Sequence, residues 1–102
     1  MANITINLPV DESVADHAVV HLSSASSDIW RKAFDAYGKW AKQTGPRPDG
    51  IPDDAKIPTA AQNSEFQVTG SEIKIKMQPQ GKYDAIKEFV DQAIAYANQN
   101  SP

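Results

Sequence analysis

Asp28-Ile-Trp-Arg-Lys-Ala-Phe-Asp-Ala-Tyr-Gly-Lys-Trp-Ala-Lys42 separates into two faces when wound at about 100° per residue. Ile29, Trp30, Ala33, Phe34, Ala36, Tyr37, Trp40 and Ala41 share one arc of roughly 160°. Asp28, Arg31, Lys32, Asp35, Gly38, Lys39 and Lys42 occupy the other. Four of the eight aromatic residues lie on this stretch, so it reads as a helix that anchors the core. Ser27 is placed to cap a free amide of the first turn, and Asp28 complements the helix dipole. Gly45-Pro46 cannot propagate the helix, which is expected over 28–43.

The second decisive stretch is Glu65-Phe-Gln-Val-Thr-Gly-Ser-Glu-Ile-Lys-Ile-Lys-Met77. It reads as a β-hairpin with strands 65–69 and 72–77 around a two-residue Gly70-Ser71 turn, glycine supplying the positive φ of type II′. In that register Val68 faces Ile73 and Phe66 faces Ile75 on an apolar side. Gln67 faces Lys74 and Glu65 faces Lys76 on a wet side, so the pairing is consistent on both faces.

The remaining elements fit around these two. Residues 3–8 alternate, with Ile4, Ile6 and Leu8 on one face, and Pro9 prevents a central strand from continuing. Asp11 to Ser24 satisfies two templates, a helix with Val14, Ala15, Ala18, Val19 and Leu22 on one face, or a strand over 17–22; the helix is slightly favoured. Residues 44–63 hold four prolines and two glycines and read as a long Pro/Asp-rich loop. A last amphipathic helix is expected over 82–98, with a fraying tail from Asn98 onward. The whole is a single domain over 1–102, two-layer α+β. Its antiparallel sheet of three or four strands (3–8, 65–69, 72–77, and 17–22 if extended) is covered by helices 28–43 and 82–98.

Net charge is -3, which gives no bulk attraction for nucleic acid or an anionic membrane. Segment 28–42 nonetheless carries +2, leaving -5 for the rest. With no cysteine, disulfides, zinc–thiolate sites and thiol nucleophiles are excluded. No segment approaches the roughly 20 apolar residues of a membrane span, and no signal-like stretch opens the sequence. A cytoplasmic protein is expected.

Catalytic signatures are missing. His17 and His21 would be i,i+4 on a helix, a chelating geometry, but no third ligand stands at a recognisable spacing. Asp53-Asp54 and Asp11-Glu12 are acidic pairs in turn contexts, explained by capping and solvation. No nucleophile elbow or glycine-rich phosphate loop occurs. The expectation is no enzyme, no metal and no cofactor. The aromatic stripe is core, with Trp40 at its margin as the ring placed to reach a partner. Arg31, Lys32, Lys39 and Lys42 form the basic face through which a partner would be met.

Ile4-Thr-Ile-Asn-Leu-Pro9 and Ser26-Ser-Asp-Ile-Trp-Arg-Lys-Ala-Phe-Asp-Ala-Tyr37 together resemble the opening strand and second helix of a ribbon-helix-helix, Arc-type DNA-binding module. The resemblance covers under half the chain. It lacks the family's glycine before the second helix and any basic residue in the strand. It implies a dimer whose ribbon enters the major groove, with Asn3, Thr5 and Asn7 reading bases and Ser26 and Ser27 holding a phosphate. Two functions are therefore carried forward. The first is a small non-enzymatic accessory, inhibitor or immunity-type protein docking on a macromolecular partner, most readily another protein. The alternative is a dimeric DNA-binding regulator, with an enzyme of unrecognised site third.

Overall fold

The computed structural model describes residues 3–51 and 57–100. The acidic pair Asp53-Asp54 lies outside them. The elements, in order, are β1 (Ile6–Asp11), β2 (His17–Leu22), α1 (Asp28–Ala41), α2 (Thr59–Gln62), β3 (Glu65–Thr69), β4 (Glu72–Lys76) and α3 (Lys87–Gln99), with a 3-10 turn over Tyr83–Ala85 before α3. The four strands form one antiparallel sheet in the order β1-β2-β4-β3. Helices α1 and α3 pack together on one face of it, giving the expected two-layer α+β architecture.

The β3–β4 hairpin adopts the register read from the sequence at all four expected pairs, Glu65–Lys76, Phe66–Ile75, Gln67–Lys74 and Val68–Ile73. Gly70 takes φ +55 at the turn, the left-handed conformation that glycine adopts without steric cost. The apolar row of β4, Ile73 and Ile75, is fully buried, whereas Phe66 and Val68 on β3 are only half-buried. The difference follows from position: β4 has a strand on each side, and β3 is an edge.

Residues 17–22 are a strand, not the helix slightly favoured above. His-Ala-Val-Val-His-Leu satisfies both periodicities, and tertiary pairing decides between them. Ala18 and Val20 lie opposite Ile75 and Ile73 of β4 and are buried, while His17, Val19 and His21 face the open side. The first strand runs over 6–11 rather than 3–8. Ile4 is buried as expected, but Leu8 is 76% exposed and the strand passes through Pro9. Pairing with β2 loses regular register between Asn7 and Asp11, a stretch containing the cis Leu8–Pro9 peptide. An edge strand tolerates this, because proline's missing N–H can face solvent instead of a ladder partner.

In α1 the Ser27 hydroxyl accepts from Trp30 N–H at 3.1 Å, the cap expected from the sequence. The helix ends at Ala41 through a two-bond closure in which Gln43 N–H donates to the Trp40 carbonyl and Thr44 N–H to the Lys39 carbonyl. Gln43 takes φ +61 there, so a glutamine fills the left-handed position that glycine usually occupies. Of the apolar arc, Trp30, Phe34, Tyr37 and Ala41 are buried, and Ile29 is 58% exposed at the free end. The core is built on rings: Trp30 stacks on Phe34 at 5.5 Å, and Tyr37 contacts Phe89 at 5.2 Å and Tyr96 at 5.5 Å. Phe66 bridges the layers, 6.3 Å from Phe34 and 5.6 Å from Phe89.

Two further readings are corrected. The Pro-rich connection contains the single-turn helix α2, whose Ala61 is fully buried. Asn98 does not fray. It sits in the last turn of α3, accepting from Trp30 Nε1–H and Ile4 N–H and donating to the Ile4 carbonyl.

Candidate functional site

Because Trp30, Phe34, Tyr37 and Ala41 fix one face of α1 inward, its period carries Arg31, Lys32, Asp35, Lys39 and Lys42 to the opposite side. That side forms one wall of a groove of about 1090 Å³. The other wall is β3, continued by the open sheet face through Val19, Lys74 and Lys76, with Ser13 and Val14 at the β1–β2 connection. Half-buried Phe66 and Val68 supply apolar surface between the two walls.

The groove gathers six cations, Arg31, Lys32, Lys39, Lys42, Lys74 and Lys76, against four carboxylates, Asp11, Asp28, Asp35 and Glu65. Two of those carboxylates are engaged within α1. Asp28 pairs with Arg31, and Asp35 lies 3.2 Å from Lys39 Nζ. Arg31 is held further by donating to the Ser26 carbonyl at 2.6 Å. Among the described residues no carboxylate forms an ion pair with Lys32, Lys42, Lys74 or Lys76. Asp11 accepts from Ser13 N–H at 2.9 Å, and hydrogen bonds from Ser13 hold its carboxyl below the usual carboxylate range. The groove thus presents more uncompensated positive than negative charge on a chain whose net charge is -3.

The four basic residues singled out on α1 are brought together along this wall. Trp40 is not part of the groove: its ring is half-buried against Tyr37, with centroids 5.4 Å apart. Lys74 and Lys76 were legible as the wet face of the hairpin. That they line one groove with the basic face of α1 was not, because it depends on β3 lying at the sheet edge beside that helix.

The residues of the DNA-binding resemblance are spread over several local roles. Asn3 is exposed ahead of β1. Thr5 exchanges bonds with Ser23, its N–H donating to the Ser23 hydroxyl at 2.9 Å and its carbonyl accepting from Ser23 N–H. Asn7 donates to the Leu22 carbonyl at 3.3 Å. Ser26 is buried and donates through both N–H and hydroxyl to the Gly70 carbonyl, while Ser27 caps α1. The element order over 6–41 is strand, strand, helix, where the resemblance calls for strand, helix, helix.

His17 and His21, on one face of a strand, stand about 13 Å apart by strand rise, beyond the span of one metal ion. His21 Nδ1 instead lies 3.5 Å from Glu72 Oε2. Among the described residues no three His, Cys, Asp or Glu side chains form a metal-holding group, and no helix is long and apolar enough to cross a membrane. No family model matches the chain, and no match is found among curated proteins or solved structures.

Proposed function

We infer that this chain is a non-enzymatic binding protein that docks on a protein partner through the groove between α1 and β3. The observation that carries the reading is that Lys32, Lys42, Lys74 and Lys76, none of them ion-paired among the described residues, line the same groove as half-buried Phe66 and Val68. Charge of one sign beside an apolar strip is the chemistry of a recognition surface: charges steer and orient a partner, and apolar area supplies the contact energy.

The test is photocrosslinking in cells, with a photoreactive residue at Lys32 or Lys74 and, as a control face, at exposed Glu88 on α3. The expected result is a discrete protein adduct from both groove positions, absent from position 88 and lost when Lys42 and Lys76 are changed to Gln. Equal adducts from both faces would sink the reading. Adducts to duplex DNA would replace it with a nucleic-acid-binding surface.

A further inference from the structure

The two edges of the sheet are built differently. β1 is blunted: it contains Pro9, loses register between Asn7 and Asp11, and ends on a charge. Those devices discourage a further strand from pairing. β3, Glu65-Phe-Gln-Val-Thr69, has regular register along its whole length, no proline and no lysine, and among the described residues no strand pairs with its outer side.

The direction of its free groups follows from the turn. Around a two-residue hairpin the flanking pair Thr69–Glu72 is hydrogen-bonded, and bonding alternates from there to Gln67–Lys74 and Glu65–Lys76. Phe66 and Val68 therefore direct their N–H and carbonyl groups outward, toward the groove that α1 walls on its far side. An added strand would meet four backbone groups at the spacing of its own. Its side chains would alternate between the Phe66–Val68 side, where α1 lies, and the open side that bears Glu65 and Gln67 with Lys74 and Lys76 one strand beyond.

We propose that β3 is an acceptor edge, and that the groove takes an extended acidic peptide segment of the partner as a fifth strand. The proposal deepens the docking reading above and rests on it. Charge selects the occupant: among the described residues lining the groove, Asp11 and Glu65 are the carboxylates left to offset Lys32, Lys42, Lys74 and Lys76 once the α1 pairs are formed. The backbone selects a peptide over a nucleic acid. Alternating N–H and carbonyl groups match the donors and acceptors of a strand, whereas a phosphate backbone offers acceptors alone.

The experiment is selection of random peptides of about a dozen residues displayed on phage, against the full chain, followed by synthesis of the winners. The expected winners are acidic, free of proline and apolar at alternate positions. Their binding should fall about tenfold or more with Lys32→Gln and Lys74→Gln combined, and weaken as salt is raised from about 0.1 to about 0.5 M. Amide hydrogen exchange at Phe66 and Val68 should slow in the complex. N-methylating one alternate set of peptide amides should abolish binding while methylating the other spares it, as strand pairing requires.

Winners sensitive to the lysine changes but leaving Phe66 and Val68 exchange unaltered would overturn strand addition and leave the docking reading standing. Winners indifferent to the lysines, or no winners at all, would overturn both. Equal competition by a duplex oligonucleotide would overturn the peptide in favour of a polyanion surface. A free chain already dimeric, with both amides protected, would overturn it in favour of a second copy on the same edge.

Discussion

The indole N–H of Trp30 donates to Asn98 Oδ1 at 2.9 Å, joining α1 to the end of α3 across 68 residues of sequence. The same side chain satisfies both backbone groups of Ile4, at 3.1 and 2.9 Å. One amide thus fixes the angle of the helix that walls the groove, the end of the last helix and the approach to β1. Truncation would leave a buried indole N–H and two backbone groups to find other partners. Asn98→Ala should cost about 2–3 kcal/mol, on the scale of several partly buried hydrogen bonds. Asn98→Asp should also cost stability, because it keeps the acceptor for Trp30 but sets a carboxylate against the Ile4 carbonyl. Urea denaturation measures both, and an unchanged midpoint for Asn98→Ala would show that the amide is dispensable.

Tyr83 is the converse case. Its ring is buried, and its hydroxyl has no hydrogen-bond partner among the described residues. A buried donor without a partner carries a desolvation cost that removing the group relieves. Tyr83→Phe should therefore leave stability unchanged or raise it by up to about 1 kcal/mol. A loss of that size in thermal or urea unfolding would mean the hydroxyl is bonded in solution.

The same residue sets an alkaline limit. Burial, with smaller contributions from Asp91 and Glu12, pushes the Tyr83 phenol up to about 12. An unfolded tyrosine ionises near about 10, so from about pH 10 to 12 the folded chain holds a proton that the unfolded chain has released. Stability from this group is complete below about pH 10 and is lost as pH rises toward 12. Tyr37, raised by burial in the same direction, adds to the slope. Unfolding free energy followed across that range should decline less steeply in Tyr83→Phe than in the parent chain. Parallel curves would place the titration elsewhere.

What could be read from the sequence depended on whether a residue's environment was local. The β3–β4 register was legible because each pair is constrained twice, by apolar partners on one side and Glu–Lys or Gln–Lys partners on the other. α1 was legible because burial and charge segregate at its own period. β2 was not: Ala18 and Leu22 are inward-facing under either template, and only contact with Ile73 and Ile75 of β4 selects the strand. Asn98 left no pattern, because its three bonds go to residues 30 and 4. The site divides in the same way. Arg31, Lys32, Lys39 and Lys42 were visible as one helix face. Their position beside a regular, unblunted strand edge is a property of strand order, which no local window contains.

Gly38 brings stability and site together. It lies within α1 on the groove wall, and a Cβ built there meets nothing within 4 Å. Glycine inside a helix costs roughly 0.8–1 kcal/mol relative to alanine, chiefly through backbone entropy. Gly38→Ala should therefore stabilise the chain by about 0.5–1 kcal/mol, read as a higher urea midpoint with unchanged slope. Its effect on capture of the peptides described above separates two reasons for the glycine. If the ligand runs close along α1, the added methyl weakens binding although the fold is more stable. If the ligand keeps to β3 and the lysines, binding is preserved. A loss of stability on this substitution would mean that the outward face of α1 is packed in solution, and the groove would then not be open as described.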